Sequence, residues 1–556
     1  MKSKKWKIVS ILLLIIICFL FPSPGSAKAR GKETKSQILL RREIDFFIKK
    51  SRTPQTVKAI EIYSRKNRKI LFQSDSQLLL RPASNLKIVT TSFALHNLTS
   101  SYEFKTLFLV SGIRRDEAIE GNLIVELCGD PIVTDGDLDS VARSISQSGI
   151  RRITGNLIID VSQFDSLQWG SGWMWDDEPG DYQMFISPAC LDHNAIIANV
   201  SLDSLNHHLS ITTTPQTNFV HILSTAVPDT TDSLFVTRVM ENDTNTIVVS
   251  GKYSPHLRQF QDAFSVRHPA HYFGTVLKEM LSKHGIKLSG EVLVEPRDWR
   301  PRTESMIDTL FILEHSIDTV ITYTNKVSDN LGAECLLRIV PNAIYGQTGS
   351  AENGLKLEKD FLTQCGVDSS QYFIVDGSGL SHYDLITPEA IVSVLNCNLN
   401  QMVKNPDSAN STGGMAEIFV HSLPIAGKDG TLEKRMCRNF EIGKVVAKTG
   451  SISGVSTLSG YVMLPKDTLI FSMMMQNFIP GNGDSMRTLQ DSICTLLALY
   501  NTNARLYRRG LIKYHVGTYG AARRARLRHK MEMAHSGIRQ KRVSHTVSQK
   551  KTTEVH

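Results

Sequence analysis

Ser84 and Lys87 constrain this chain more than anything else in it. They stand behind Arg81-Pro82-Ala83, open the largely apolar run 88–95, and read as the first turn of a buried helix. Positions three apart share a helix face, so the Ser84 hydroxyl can lie against the Lys87 amine. A serine hydroxyl is a poor nucleophile until a neighbouring base takes its proton, and a desolvated lysine with a lowered pKa is such a base. Alone the pattern is common, and a solvated Ser and Lys on a helix is its ordinary meaning. The stretches that could complete the chemistry lie far away. Asn330, in Ser328-Asp329-Asn330, comes 243 positions after Lys87, and Lys448, in Lys448-Thr449-Gly450, comes 120 after Ser328. Any fold that uses all three must close a gap too long for one compact helical region.

The local context supports that use. Ser328-Asp329-Asn330 opens a helix through Leu331, Ala333, Leu336 and Leu337, with Ser and Asn as natural capping residues. Lys448-Thr449-Gly450 stands just before a strand, turn and strand over 456–464, 465–467 and 469–475. A glycine on an edge strand permits close approach of a substrate backbone. Ser-x-x-Lys, Ser-Asp-Asn and Lys-Thr-Gly, in this order, form the signature of class A β-lactamases and penicillin-binding proteins.

The N-terminus places the chain outside the cytoplasm. Lys2, Lys4, Lys5 and Lys7 precede an apolar run over 8–21, then Pro22, Pro24, Gly25 and Ala27-Lys28-Ala29. That is a secretory signal over 1–29, its apolar run short for a membrane span. Ile17 before Cys18 is not the small residue a lipid anchor wants. The net charge of +9 misleads: residues 501–556 carry fourteen Lys and Arg against Glu532 and Glu554, and residues 1–26 add four Lys, so the body between is mildly acidic. Nucleic acid is not an expected partner. The tail, with Arg523-Arg524-Ala525-Arg526, has the composition of a disordered extension. It is either a solvated appendage or an attachment to anionic envelope surface.

The cysteines beyond the signal, at 128, 190, 335, 365, 397, 437 and 494, show no metal-ligand spacing. Their odd number and spread argue against a disulfide framework, although one bridge is compatible with export. Cys335, Cys397 and Cys494 sit in apolar helical runs, as buried free cysteine does.

Between the first two motifs the chain reads as strand-rich, with strands over 104–110, 121–127, 155–160, 209–213, 246–250 and 291–294. Gly121-Asn122-Leu123-Ile124-Val125 and Gly155-Asn156-Leu157-Ile158-Ile159 are near-repeats. Inserted domains are the simplest account, and insertion in a loop is tolerated because closure cost grows slowly with length.

Further pieces carry a specific resemblance. Cys128-Gly129-Asp130-Pro131, Trp173-Met174-Trp175-Asp176-Asp177, Asp376-Gly377-Ser378-Gly379-Leu380-Ser381 and 427–432 join the three motifs. Over residues 36–500 the chain resembles the low-molecular-mass class C penicillin-binding proteins, the D-alanyl-D-alanine carboxypeptidases/endopeptidases of peptidase family S13. The resemblance implies an α/β (α+β) serine β-lactamase/DD-peptidase fold, over 30–96 and 300–500. Two inserted, mostly β domains, one nested in the other, would occupy 97–299. It implies peptidoglycan stem peptides as substrate, β-lactams as inhibitors, and no metal or organic cofactor. Ser84 would be the nucleophile and Lys87 its base, with Ser328 and Lys448 handling the leaving amine's proton and Asn330 the peptide amide. Lys448 and Thr449 would hold the terminal carboxylate, and the edge Gly450-Ser451 would complete the binding strand. The N–H groups of Ser84 and Ser451 would form the oxyanion hole. Asp176 or Asp177 would face the substrate's amino group. His382 stands where an Arg in some members helps bind a diaminopimelate end, so either His382 lines the site or it is a surface loop residue.

Two alternatives share parts of this pattern. A β-lactamase needs a deacylating base; the nearest match to Glu-x-x-Leu-Asn is Glu352-Asn353-Gly354-Leu355-Lys356, with Lys in the last place. A catalytically silent scaffold would keep the inserted domains as binding modules. Penicillin separates them: a β-lactamase consumes it, a carboxypeptidase is trapped by it, and a scaffold does neither.

Overall fold

The computed structural model describes residues 34–500, except 52, 54, 204–207, 241–242, 296–306, 405–413 and 439–440. The expected signal and basic tail lie outside the described residues. The chain divides into two compact units, Phe47–Ala498 and the termini beyond it. A helix, Lys35–Lys50, opens the described chain. The larger unit, Phe47–Ala498, holds all three motifs. No described helix is long and apolar enough to cross a membrane.

One half of this larger unit is a five-stranded antiparallel sheet. Its strands are β1 (Val57–Ser64), β2 (Lys69–Ser74), β3 (Val445–Ile452), β4 (Val455–Leu464) and β5 (Asp467–Gln476), in the order β2-β1-β5-β4-β3. β5, near-continuously apolar, is central and buried on both faces, as such a run predicts. β3, with Lys448-Thr449-Gly450 inside it, is an edge, so the motif is part of a strand rather than its prelude. Along β4 alternate residues face opposite layers. Thr457 and Tyr461 donate to Pro82 O and Leu395 O, while Ser456 meets Gln490 of the helix Gly483–Ala498 on the other face.

The helical layer centres on α1 (Lys87–Leu98), buried along nearly its whole length, as a helix apolar on all sides must be. Its Thr91 and Ser92 hydroxyls donate back to Lys87 O and Ile88 O, which satisfies them inside the core. Around it pack α2 (Asn330–Tyr345), α3 (Ala351–Gln364) and α4 (Pro388–Lys404). Ile88, Val89 and Phe93 of α1 join Leu336, Leu337 and Phe361 in one apolar core.

The insertion is mostly β, as expected, with two helices. Its seven-stranded sheet carries two helices, Asp135–Gln147 and Pro269–Lys283. Neither is among the elements read from the sequence, although each carries a start signal: Thr134 and Asp137 form a capping box, and Pro269 sits in the first turn. Entry strand Glu103–Arg115 and exit strand Ile307–Ser316 pair antiparallel, Glu103 opposite Ser316, so the insertion's two ends lie together. Its sheet therefore runs past 299 to Ser316. The two near-repeats are adjacent parallel strands, Leu123 opposite Leu157, and a third copy, Gly290-Glu291-Val292-Leu293-Val294, pairs beyond them. Asn122 Oδ1 accepts from Asn156 N, and Asn156 Oδ1 from Glu291 N. A Cβ at Gly155 or Gly290 would sit 2.3 or 2.2 Å from the preceding asparagine's Oδ1, so each glycine makes room for this ladder. Smaller sheets within 195–265 fall in sequence between Leu157–Asp160 and Val292–Glu295, which pair directly.

Candidate active site

Ala83–Leu86 forms a single 3₁₀ turn that runs straight into α1. Ala83 has φ +47°, a left-handed value uncommon for a residue with a side chain. Two glycines let the chain hold that turn. A Cβ at Gly379 would come within 2.0 Å of Ala83 O, and one at Gly450 within 2.9 Å of both Pro82 O and Ser84 N. The close approach expected at Gly450 is thus made by the protein's own backbone. Asn85, wholly buried, fastens the turn to β4 and β3, donating to Thr457 Oγ1 and Lys448 O and accepting from Ser459.

Lys87 Nζ, with 0% exposure, donates to Ser84 Oγ at 3.0 Å, Asn330 Oδ1 at 2.5 Å and Ser378 O at 2.8 Å. Burial lowers its pKa to about 8, against the opposing pull of Asp376, Asp329 and Glu334. Once the amine is neutral, the same Ser84 contact can run in reverse, hydroxyl donating to nitrogen. Lys448 Nζ, equally buried, donates to Ser328 Oγ at 2.8 Å and Thr449 O at 3.0 Å. Burial first, then the nearby Lys87 charge, hold it well below the ordinary lysine range. Each lysine therefore addresses one serine.

The second motif is presented differently from its sequence reading. The cap of α2 is Asp329, whose carboxylate accepts from Gly332 N at 2.8 Å; it has extended backbone and an anionic side chain suited to a helix start. Ser328, at φ +69°, ends a π-helical turn Thr324–Ser328, and Asn330 is the first helical residue. Both are thereby free to face Lys448 and Lys87. Thr449 Oγ1 donates to Thr431 Oγ1 at 2.8 Å, and Ser451 is exposed on the free edge of β3.

Residues that the motifs did not assign organise the rest. Asp376, 1% exposed, accepts from Gly379 N, Ser381 N, Ser378 Oγ and the Trp173 indole at 2.9 Å. This Asx-type turn was readable from Asp-Gly-Ser-Gly. Its meeting with Trp173 was not. Behind it, Glu334 accepts from Gly377 N and Ser378 N and pairs with Arg338.

From Trp173 an arm, 173–183, reaches back over the constellation. Asn330 Nδ2 donates to Tyr182 O at 2.7 Å, and Tyr182 Oη to Asp177 Oδ1 at 3.0 Å. Asp177 is therefore linked to the site through Tyr182 and Asn330, with Asp176 exposed on the same short turn. His382 is half-buried beside the arm's root, its N–H donating to Gly172 O; its imidazole makes no hydrogen bond or ion pair to the Ser84 cluster among the described residues. Cys128-Gly129-Asp130-Pro131 plays another part: Asp130, 2% exposed, accepts from His315 at 2.6 Å where the insertion's exit strand ends. Glu352 is exposed on the first turn of α3, with no link to Ser84 among the described residues. None of the cysteines from 128 to 494 is in a disulfide among the described residues, and Cys190 and Cys335 have their sulfurs 3.6 Å apart.

Comparison with known proteins agrees with this geometry. The D-Ala-D-Ala carboxypeptidase 3 (S13) family matches residues 40–499. The chain belongs to that family. Among its S13 relatives, the D-alanyl-D-alanine carboxypeptidase DacB of Haemophilus influenzae is 27% identical over 421 residues, 75% of this chain and 84% of that one. A D-alanyl-D-alanine carboxypeptidase of Actinomadura sp. is 28% identical over 508 residues, covering 88% and 89%. The crystal structure of penicillin binding protein 4 (dacB) of Haemophilus influenzae has the same fold: TM-score 0.69, 24% identity, over 83% of this S13 chain and 99% of that one. The serine β-lactamase/DD-peptidase architecture is thus the fold of this protein.

Proposed function

We propose that the protein is a serine-type D-Ala-D-Ala carboxypeptidase that also opens D,D cross-links, working through an acyl-enzyme on Ser84. The observation that carries this reading is the pair of buried lysines, each bonded to a different serine, converging from three distant motifs on one helix start. Neutral Lys87 takes the Ser84 proton as Oγ attacks the carbonyl of the penultimate D-Ala. The N–H groups of Ser84 and Ser451 receive the developing oxyanion, worth about 3 kcal/mol per donor in acyl transfer. Ser328 and Lys448 pass a proton to the departing amine, Lys448 and Thr449 hold the terminal carboxylate, and water then releases the acyl group. Asn330 anchors Lys87 through its oxygen. Its amide nitrogen is given to Tyr182 O, so a substrate amide must share or displace that contact.

Asp177, Asp176 and His382 are the groups we assign to the substrate's side chain. The Haemophilus protein is also known complexed with a β-lactam, and the same Ser84 chemistry makes β-lactams acylating inhibitors here. Export by the 1–29 signal would place the enzyme in the cell envelope, beside peptidoglycan. We read 97–299 as two nested insertions, as the pairing of strands around 195–265 suggests, and the basic tail as an envelope contact.

The test is intact-mass analysis after brief exposure to benzylpenicillin. A persistent penicilloyl adduct on the wild type, absent from Ser84→Ala, is the expected result, together with D-Ala release from a stem pentapeptide. Consumption of penicillin without an adduct would make it a β-lactamase, and untouched penicillin would end the catalytic reading.

A further inference from the structure

We infer that Glu178 is a positioning residue for the substrate's stem-peptide side chain, clamping the 173–183 arm above Ser84 from the insertion side. This rests on the D,D-peptidase reading of the site. The arm is fixed to the catalytic core at two points, the Trp173 indole on Asp376 and the Tyr182 carbonyl on Asn330. Inside it, Gln183 Nε2 donates to Met174 O at 2.8 Å and Gly180 N to Asp177 O at 2.9 Å, so its two limbs move together. Its third fixed point is Glu178, between Asp177 and the rest of the insertion. The Glu178 carboxylate, 8% exposed, receives Arg238 Nη2 and, through both oxygens, Arg267 at 3.0 and 3.2 Å. The next residue, Pro179, accepts from Ser265 N at 3.0 Å.

The clamp is strong because of where its charges are. Arg238 is 1% exposed and has Glu178 as its carboxylate partner; Arg267 also reaches Asp243. Removing one member of a buried ion pair leaves an uncompensated charge, so the arm cannot shift cheaply while Glu178 is present. Glu178 makes no contact with the Ser84 cluster among the described residues. Its effect passes through the neighbouring Asp177 and through Tyr182, which set how far the arm's carboxylates stand from the nucleophile. A compact β-lactam needs only Ser84 and the two lysines, and Lys87 keeps its bonds to Ser84 and Ser378 O if the arm moves. A stem peptide, whose side chain extends beneath the arm, needs the arm in place.

The experiment uses the full chain with Glu178→Gln, Glu178→Asp and Arg267→Gln. It measures KM and kcat on a stem pentapeptide ending in D-Ala-D-Ala, and the rate of benzylpenicillin acylation by intact mass. Glu178→Gln should raise KM about tenfold with kcat and penicillin acylation within about twofold of wild type, as small misplacements of binding groups do. Glu178→Asp should recover most of the loss. Arg267→Gln removes a partner that is 19% exposed while leaving the Arg238–Glu178 pair, and should raise KM about threefold. It decides the question if Glu178→Gln does not fold. Unchanged KM in these variants, or peptide and penicillin rates falling together, overturns the inference. A wild type that takes up penicillin but leaves the peptide intact fails at the parent enzyme, which sinks the substrate assignment itself.

Discussion

The Ser84 cluster and the 173–183 arm are held in place by opposite means. Around Ser84 nearly every group is buried and bonded more than once: Lys87 has three acceptors, Asp376 four donors, Asn85 contacts to two strands. The arm is exposed along much of its length, Trp175 at 74% and Tyr182 at 48%, and is fixed at a few separate points. The contrast suits their tasks. A nucleophile and its base must be placed to within fractions of an ångström, whereas a surface that receives one side chain of a polymer can be tuned by moving its supports. Mutations in the first region should therefore act on every substrate, and mutations in the second should separate peptide from penicillin.

The largest expected effect tests the first half of that statement. Lys87→Ala should slow both penicillin acylation and peptide hydrolysis by roughly 10²–10⁴-fold, the range for a lost general base. In the wild type, the acylating species carries neutral Lys87. With its pKa lowered to about 8 by burial, the acylation rate should climb about tenfold per pH unit below that value and level off above it. A profile that is flat from pH 6 to 9 would remove Lys87 from the role of base.

Next comes the cost of burying so many ionisable groups near the site. Glu358, 1% exposed beneath α1, accepts from Thr90 Oγ1 at 3.2 Å, and burial raises its pKa to about 8. The sign follows from linkage. The unfolded carboxyl ionises near its ordinary value while the folded one keeps its proton until about pH 8. Folding thus becomes less favourable as pH rises through that window. Glu358→Gln, which cannot ionise, should match the wild type at pH 4 and exceed it by on the order of 4 kcal/mol at pH 8. Denaturant melts at the two values check this, with acylation unchanged.

How much of each region could be read in the chain differs for the same reason. Ser84, Lys87, Ser328, Asn330 and Lys448 announce themselves because their chemistry needs fixed short spacings, and the structure does bring them together. Lys448-Thr449-Gly450 reads in the sequence as standing before the meander, and the structure puts it inside the edge strand Val445–Ile452. The arm's supports left no such trace. Trp173 finds Asp376 across 203 positions, and Glu178 finds Arg238 across 60, partners that no local period or spacing selects. The capping role of Asp329 was misassigned to its neighbours for a smaller reason: three consecutive residues were all good caps, and only the backbone angles distinguish them. The asparagine ladder lay half-hidden, since Gly290-Glu291 has Glu where its two predecessors have Asn.

Trp173→Phe should test the arm's root. It exchanges the buried indole for a smaller aromatic ring and removes the N–H donated to Asp376 at 2.9 Å. A hydrogen bond to a charged group is worth about 1.5–3 kcal/mol, although Asp376 retains three other donors. We expect a loss near the lower figure in a denaturant melt. Peptide KM should rise several-fold, and penicillin acylation should change less.

The smallest change separates the arm's backbone from its side chains. Tyr182 reaches the site by its carbonyl, on Asn330 Nδ2, and reaches Asp177 by its phenol. Tyr182→Phe removes only the second. Partial burial, then Asp177 and the other carboxylates of the arm, push that phenol up to about 12, so it stays a donor at any pH the enzyme would be assayed at. In the variant the Asn330 contact persists, which leaves Lys87 and Ser84 as they were, and penicillin acylation should be indistinguishable from wild type. Asp177 loses the donor that fixes its rotamer, at a cost of about 0.5–1.5 kcal/mol in that bond. A peptide whose side-chain amine uses Asp177 should bind a few-fold more weakly, and the same peptide with that amine acetylated should show no change. An equal loss on both peptides would mean that Tyr182 contacts the substrate backbone itself, and that the arm belongs with the catalytic core rather than apart from it.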